Sequence, residues 1–385
     1  MEHVRIGIIG FGSMASSHAR YLAAGEIPGA SVTAAHDTNE KRFQTLEKDF
    51  NGAIRGFTDI QEFFSSGLFD AVLVATPHYH HPEYVMMSLD KGFHVLCEKP
   101  AGVYTAHVRE MNRHAANSGK IFAIMFNQRV NPVYIKLKDL ISSGELGDLK
   151  RCIWIITNWY RPQSYYDSGS WRATWSGEGG GVLLNQDPHQ LDLWQWILGM
   201  PERVRAFCYF GKYHDIEVED DVTAYMEYTN GMTGLFVTST GETPGTNRLE
   251  ISGDRGKLVI EDDVIKFSRL RTPERTFNRE FKGGFGQPEC WESVIPVEGA
   301  NPQHKGITRN FVQAILKGEK LIAPGTEGIH SLTLSNAMLL SSWTDAWVDL
   351  PIDEDLFLSI LKEKVRTSTK RKSASNAILD TTGTY

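Results

Sequence analysis

The sequence lacks the marks of several large protein classes. It has four cysteines in 385 residues, Cys97, Cys152, Cys208 and Cys290, and no CxxC pair. Neither a disulfide framework nor a structural zinc site is expected, and reduced thiols in a cytoplasmic protein fit this usage. No apolar run approaches the length that crosses a bilayer, so no membrane partner is expected. Basic charge is not in excess: 40 Lys and Arg stand against 47 Asp and Glu, for a net charge of -7. Nucleic acid is therefore not expected as a partner, because phosphate binding needs a basic face. The opening MEHVRIGIIGFG has no basic n-region, long apolar core or small-residue cleavage site, so no signal peptide is expected. There are no internal repeats.

What is present suits two domains. The length exceeds one typical domain, and 41% hydrophobic with 23% charged residues is ordinary for a globular chain. Over residues 1–130 short apolar runs alternate with amphipathic stretches. Strands are expected at Val4–Gly10, Ser31–Asp37, Asp70–Thr76, His94–Glu98 and Lys120–Asn127. Helices are expected at Ser13–Ala24, Asn39–Lys48, Pro82–Lys91 and Thr105–Asn117. This is the pattern of βαβ units and a doubly wound parallel sheet.

The rhythm changes near residue 130. Pro132–Ser143 reads as a bridging helix, followed by a turn at Gly144–Gly147. Strands are expected at Asp148–Tyr160, Arg203–Phe210, Val222–Tyr228, Gly231–Ser239, Arg248–Ser252 and Lys257–Ile260, with a hairpin signal at Asn230–Gly231. Helices are expected at Gln186–Leu198, His304–Leu316 and Glu327–Trp347. The expected fold class is thus α/β: a Rossmann domain over 1–130, then an α+β domain over 131–366 with a large, mostly antiparallel sheet. The last helices are candidates to pack back on the Rossmann domain. Residues 367–385 are polar and read as a disordered tail.

Gly10-Phe11-Gly12-Ser13-Met14-Ala15 matches G-x-G-x-x-G/A between a strand and a helix, the context that motif requires. Gly10 permits the turn, Gly12 leaves room for a pyrophosphate, and the helix N-terminus favours its charge. Asp37 ends the second strand, where an acid bonds ribose hydroxyls and disfavours a 2′-phosphate. NAD is therefore favoured over NADP, although Lys41 and Arg42 lie nearby; Asp37 also suits a helix N-cap. The loop after the third strand, with Thr76, Pro77, His78 and His81, should border the cofactor. Its histidines also serve as loop contacts or caps, and no metal is expected, because His80 and His81 are adjacent and point apart.

The fourth strand ends in Glu98-Lys99-Pro100. A lysine there, beside a fixed-φ proline, is placed where a nicotinamide should lie and is suited to proton transfer or to holding a substrate oxygen. A surface Lys–Glu pair is the plain alternative. Downstream stands Gly179-Gly180-Gly181…Asn185-Gln186-Asp187-Pro188-His189…Asp192. Asn185 and His189 share a face if one helix spans both. His189 is a natural base for an alcohol proton, with Asp192 available to orient it; a satisfied core histidine is the alternative. Tyr160, Arg161, Tyr165, Trp171 and Arg172 supply aromatic faces and donors suited to a sugar ring, or to a domain or oligomer interface.

GFGSMA, Asp37, ATPHYHHPE, CEKPAG and the GGG…N…H…D cluster, in this order, resemble the glucose–fructose oxidoreductase / inositol dehydrogenase / MocA family. The resemblance covers nearly the whole chain except the tail. It implies an NAD(P)-dependent dehydrogenase acting on a secondary alcohol of a sugar, glycoside, polyol or inositol. It also implies a homodimer or homotetramer. It maps the catalytic pair onto Lys99 and His189. Asn185 stands where the family often carries Asp, and an amide cannot hold charge or relay a proton; Asp187 is acidic but out of register. His78 stands where the family often has Asn. Two other readings remain: a glycoside-cleaving enzyme with bound NAD that oxidises transiently and eliminates, and a non-catalytic NAD-binding regulator.

Overall fold

The apolar runs of the first 130 residues form one sheet. The computed structural model describes residues 2–370. Its strands are β1 (Val4–Ile9), β2 (Ala30–His36), β3 (Arg55–Phe57), β4 (Ala71–Val74), β5 (His94–Cys97) and β6 (Phe122–Ile124). Between them run α1 (Ser13–Ala23), α2 (Phe43–Phe50), α3 (Ile60–Ser65), α4 (His81–Asp90) and α5 (Thr105–Ser118). All neighbours are parallel, in the order β3-β2-β1-β4-β5-β6. Every residue of β4 is buried, as in a sheet covered on both faces. The winding reverses between β1 and β4, which opens a crevice beyond their carboxyl ends.

α6 (Pro132–Ser142) leads into the second half. Asn131 caps it by accepting a bond from the Val133 N–H, and Pro132 suits its first turn. Next come β7 (Leu149–Ile156), α7 (Gln163–Asp167), α8 (Val182–Asn185) and α9 (Pro188–Leu198). Strands β8 (Arg203–Phe210), β9 (Glu219–Glu227), β10 (Thr233–Ser239), β11 (Asn247–Gly253), β12 (Gly256–Glu261) and β13 (Val264–Leu270) follow. The chain closes with α10 (Glu274–Glu280), β14 (Cys290–Ile295), α11 (Gln303–Lys317), α12 (Gly328–Thr344), β15 (Val348–Asp349) and α13 (Glu354–Thr367). Nine strands pair in the order β14-β13-β12-β11-β7-β10-β9-β8-β15. Only β7 and β10 are parallel neighbours; the other pairs are antiparallel. β9 shows the period of two: Val222, Ala224 and Met226 are buried, whereas Tyr225 is exposed.

Some elements depart from the sequence pattern. β7 ends at Ile156 rather than Tyr160, and the helix expected from Gln186 begins at Pro188. β3, α3, β13, β14 and α13 were not expected, although β13 alternates with Ile265 and Phe267 buried and α13 buries Phe357 and Leu361 four residues apart. Of the polar tail, Ser368, Thr369 and Lys370 are docked rather than loose. The Ser368 hydroxyl and the Thr369 and Lys370 N–H groups all donate to the Glu217 carboxylate. Residues 371–385 lie outside the described residues.

Candidate active site

A cleft of ≈ 610 Å³ opens at the crevice between β1 and β4. Gly10, Gly12, Ser13 and Met14 form one wall, with Asp37, Asn39 and Arg42 at one end. Gly10 has φ +86°, and a Cβ there would lie 2.8 Å from Thr76 Cγ2 and 2.9 Å from the Ala75 carbonyl. Only glycine makes this turn. Gly12 is the N-cap of α1 and has no capping side chain, so the positive end of the helix addresses the cleft. Asp37 Oδ2 accepts the Phe11 N–H at 2.8 Å and Oδ1 accepts the Asn39 N–H at 2.8 Å. The acid thus ties the glycine turn to the end of β2. Phe11, expected against the cofactor, is instead a core residue: its ring is fully buried, edge-on to Phe50. The glycine cradle, the helix end, the acid and the cleft volume together fit a dinucleotide.

The loop after β4 forms the next wall through Thr76, Pro77, His78 and His81. Both ring nitrogens of His81 meet carbonyls, Pro100 O at 2.6 Å and Thr76 O at 2.7 Å. His81 therefore joins this loop to the one after β5. His78 is buried edge-on to Trp171 and shares a bond with the Glu178 carbonyl at 3.3 Å. Burial lowers both imidazoles. His80 also lines the cleft and pairs with Glu83. Among the described residues no group of three His, Cys, Asp or Glu side chains is placed to hold a metal.

Glu98 and Lys99 follow β5 and line the same cleft. Glu98 Oε1 and His18 Nε2 are 2.6 Å apart in the interior. Burial alone would raise the Glu98 carboxyl, but the His18 bond and charge bring it down to about 2. The Lys99 ammonium donates to the Asn185 carbonyl at 2.8 Å, so it spans from the first sheet to α8. Burial lowers the Lys99 pKa, and the Glu98 charge opposes that.

Gly181 precedes α8 and lies against β9: a Cβ there would stand 1.9 Å from the Glu219 carbonyl. The Glu219 side chain accepts the Gly181 and Leu183 N–H groups, and burial raises its pKa to about 7. The chain breaks between α8 and α9, so Asn185 and His189 do not sit on one helix. The Asn185 amide donates to Glu178 instead. His189 is buried edge-on to Phe126, and its Nδ1 has no partner. Burial, then the charges of Lys99 and His304, lower its pKa well below the ordinary value. Asp192 does not orient it. Asp192 Oδ1 and Oδ2 accept from Arg129 at 2.7 and 2.8 Å, a bidentate pair. Asp187, expected against the substrate, is an interior residue whose carboxylate oxygens have no partner.

Of the expected sugar contacts, Trp171 and Arg172 line the cleft and the others do not. Arg172 stacks on Tyr165 and Trp171 at 4.5 and 4.6 Å, and donates to the Tyr165 hydroxyl at 2.7 Å. Tyr165 therefore places Arg172. Arg161 stacks on Trp159 and Tyr165 and donates to the carbonyl of the exposed Tyr160. Ser168, Gly169 and Ser170 line the cleft without having been expected to. Glu178 was also missed; its only signal was a charge next to three glycines.

Residues 4–126 match the oxidoreductase family with NAD-binding Rossmann fold, GFO/IDH/MocA, and residues 134–259 match the GFO/IDH/MocA C-terminal domain. The chain is 29% identical over 231 residues to trans-1,2-dihydrobenzene-1,2-diol dehydrogenase of Bos taurus. That match covers 56% of this chain and 65% of the relative, just under two thirds of its length. It is 26% identical over 343 residues to myo-inositol 2-dehydrogenase of Thermotoga maritima, covering 87% of this chain and 95% of the relative. In structure it resembles the WlbA dehydrogenase of Chromobacterium violaceum in complex with NADH and UDP-GlcNAcA, with TM-score 0.78 and 25% identity over 92% of this chain and 97% of that one.

Proposed function

Because the chain belongs to the GFO/IDH/MocA oxidoreductase family, we propose that it oxidises or reduces a secondary alcohol of a sugar, polyol or inositol with NAD. One observation carries this reading: Lys99, at a strand end of the nucleotide sheet, lines the cleft with Gly10 and Gly12 and bonds across it to Asn185. A ligand-binding scaffold needs the glycines but not a half-buried ammonium beside them.

Gly10, Gly12 and the first turn of α1 would hold the pyrophosphate, and Asp37 the ribose hydroxyls. When bound, the nicotinamide supplies the hydride acceptor or donor. Lys99 would hold the substrate oxygen. His189, kept neutral by burial, would take the alcohol proton at its ring nitrogen. Trp171 and Arg172 line the cleft from the second half, where they would meet the substrate. Asp37 favours NAD over NADP because its charge would meet a 2′-phosphate.

A panel of sugars, inositols and glycosides with NAD⁺ and NADP⁺ tests the reading, following reduced cofactor and released sugar together. The expected result is NADH from at least one free sugar or polyol. Lys99→Ala and His189→Ala should each lower kcat by about 10²–10⁴-fold with the fold intact by circular dichroism. Near-normal turnover in either variant refutes its role. Sugar release without NADH would replace the reading with oxidation-assisted glycoside cleavage.

A further inference from the structure

Three walls of the cleft meet on Glu178. Its carbonyl bonds His78 from the loop after β4. Its Oε2 accepts the Ala173 N–H at 2.5 Å, next to Arg172. Ala173 is a non-glycine residue with φ +61°, a conformation that such a bond helps to hold. Its Oε1 accepts the Asn185 amide and lies 4.0 Å from Arg172 Nη1. Asn185 in turn offers its carbonyl to the Lys99 ammonium at 2.8 Å. The side chain is about 1% exposed. A carboxylate so placed costs much desolvation unless it is paired and hydrogen-bonded, as it is here; its work is on its neighbours.

The charges around Lys99 show what that work is. Arg161 and Arg172 both disfavour its ammonium, as does burial. His78, His81, His189 and His304 stand near it from three elements, and burial lowers all four. On the acidic side, burial keeps Asp187 protonated up to about 8, and Glu98 already bonds His18. Of the two carboxylates that support the Lys99 ammonium, Glu98 has the larger effect; Glu178 is the second, its own pKa raised by burial and brought back by Arg172, the Ala173 N–H, Asn185 and Lys99.

We propose that Glu178 is a positioning residue that keeps Lys99 cationic and seated on the Asn185 carbonyl, supplying from behind the Asn185 amide the negative charge that Asn185 lacks. This rests on Lys99 as the catalytic lysine of the proposed dehydrogenase. Glu178 is not among the residues that line the cleft; it acts through Asn185 and through its field.

The test is the titration of Lys99 itself, read in the full-length protein without substrate. Competitive acetylation with acetic anhydride across pH, quantified by mass spectrometry of the Lys99 peptide, gives its midpoint independently of its accessibility. Glu178→Gln should move the midpoint down by about one unit, a tenfold shift in the ammonium equilibrium. Glu178→Asp should return it toward the wild-type value. If Glu178→Gln does not fold, Asn185→Ala, which keeps the carbonyl and removes only the amide, should move the midpoint the same way. A lower melting temperature with an unchanged midpoint makes Glu178 merely structural and overturns the proposal. A failed sugar screen, by contrast, removes the dehydrogenase reading and leaves this titration standing on its own.

Discussion

At the scale of single residues, ionisable groups in the second half are held far from their ordinary state. Burial raises Asp187 to about 8, and the charge of Glu219 adds to the rise. The folded pKa then lies above the unfolded value of 3.8. Between about pH 4 and about pH 8 the folded chain keeps a proton that the unfolded chain has lost. Stability contributed at this site therefore falls as pH rises through that window. Asp187→Asn removes the dependence without changing shape. Its melting temperature should exceed that of the wild type by about 3 °C or more at pH 8, with a smaller gain at pH 5. Equal gains at both pH values would contradict the buried protonated acid. Asp187 is buried and is not among the residues that line the cleft.

At the scale of elements, α1 has two ends of use. Its first turn addresses the cleft, and its next turn sends His18 back to Glu98 at the end of β5. His18 also bonds Tyr21, whose hydroxyl meets Thr308 of α11 at 2.8 Å. The helix that would hold the phosphates is thus stapled to the strand that presents Lys99. His18→Leu leaves the Glu98 charge buried without its partner, so unfolding in urea should show a loss of about 3–5 kcal/mol. Glu98→Gln added to that variant should recover part of it, because the unpaired charge is gone. A loss under 1 kcal/mol in the single variant would show that the staple contributes little. The broken helix between Asn185 and His189 belongs to this scale too. Gly181 must pass the backbone of β9, and α8 ends four residues later, so Asn185 bonds Glu178 whereas His189 packs edge-on to Phe126.

At the scale of the whole molecule, late parts of the chain lock the cleft. Arg129, just after β6, pairs with Asp192 of α9 and with Glu327 before α12. The α13 helix sets Lys364 over Trp175, Trp343 and Phe210. Glu217 then gathers the N–H groups of Trp175, Thr369 and Lys370. The end of the described chain thereby braces the segment that carries Trp171 and Arg172. Glu217→Ala should speed amide hydrogen exchange at Thr369 and Lys370 by about tenfold or more, with exchange in β4 unchanged. Protection that persists would place the anchor elsewhere, in the aromatic seat of Lys364.

The sequence by itself determined the parallel sheet, the dinucleotide cradle and the place of Lys99. These follow from local causes: buried runs, a glycine turn between strand and helix, and a lysine at a strand end. It also announced most of the second sheet through its period of two, but not β14 or the parallel pairing of β7 with β10, which depend on distant partners; β13, a hairpin neighbour of β12, carries a local signal in its alternation. Only the tertiary structure decided the partners of the buried charges. Asp192 goes to Arg129 rather than to His189, Asn185 to Glu178, and Asp187 to none, because each choice is set by what another segment brings within 3 Å. Hydrophobic period and turn chemistry are written along the chain, whereas the pairing of charges is written across it.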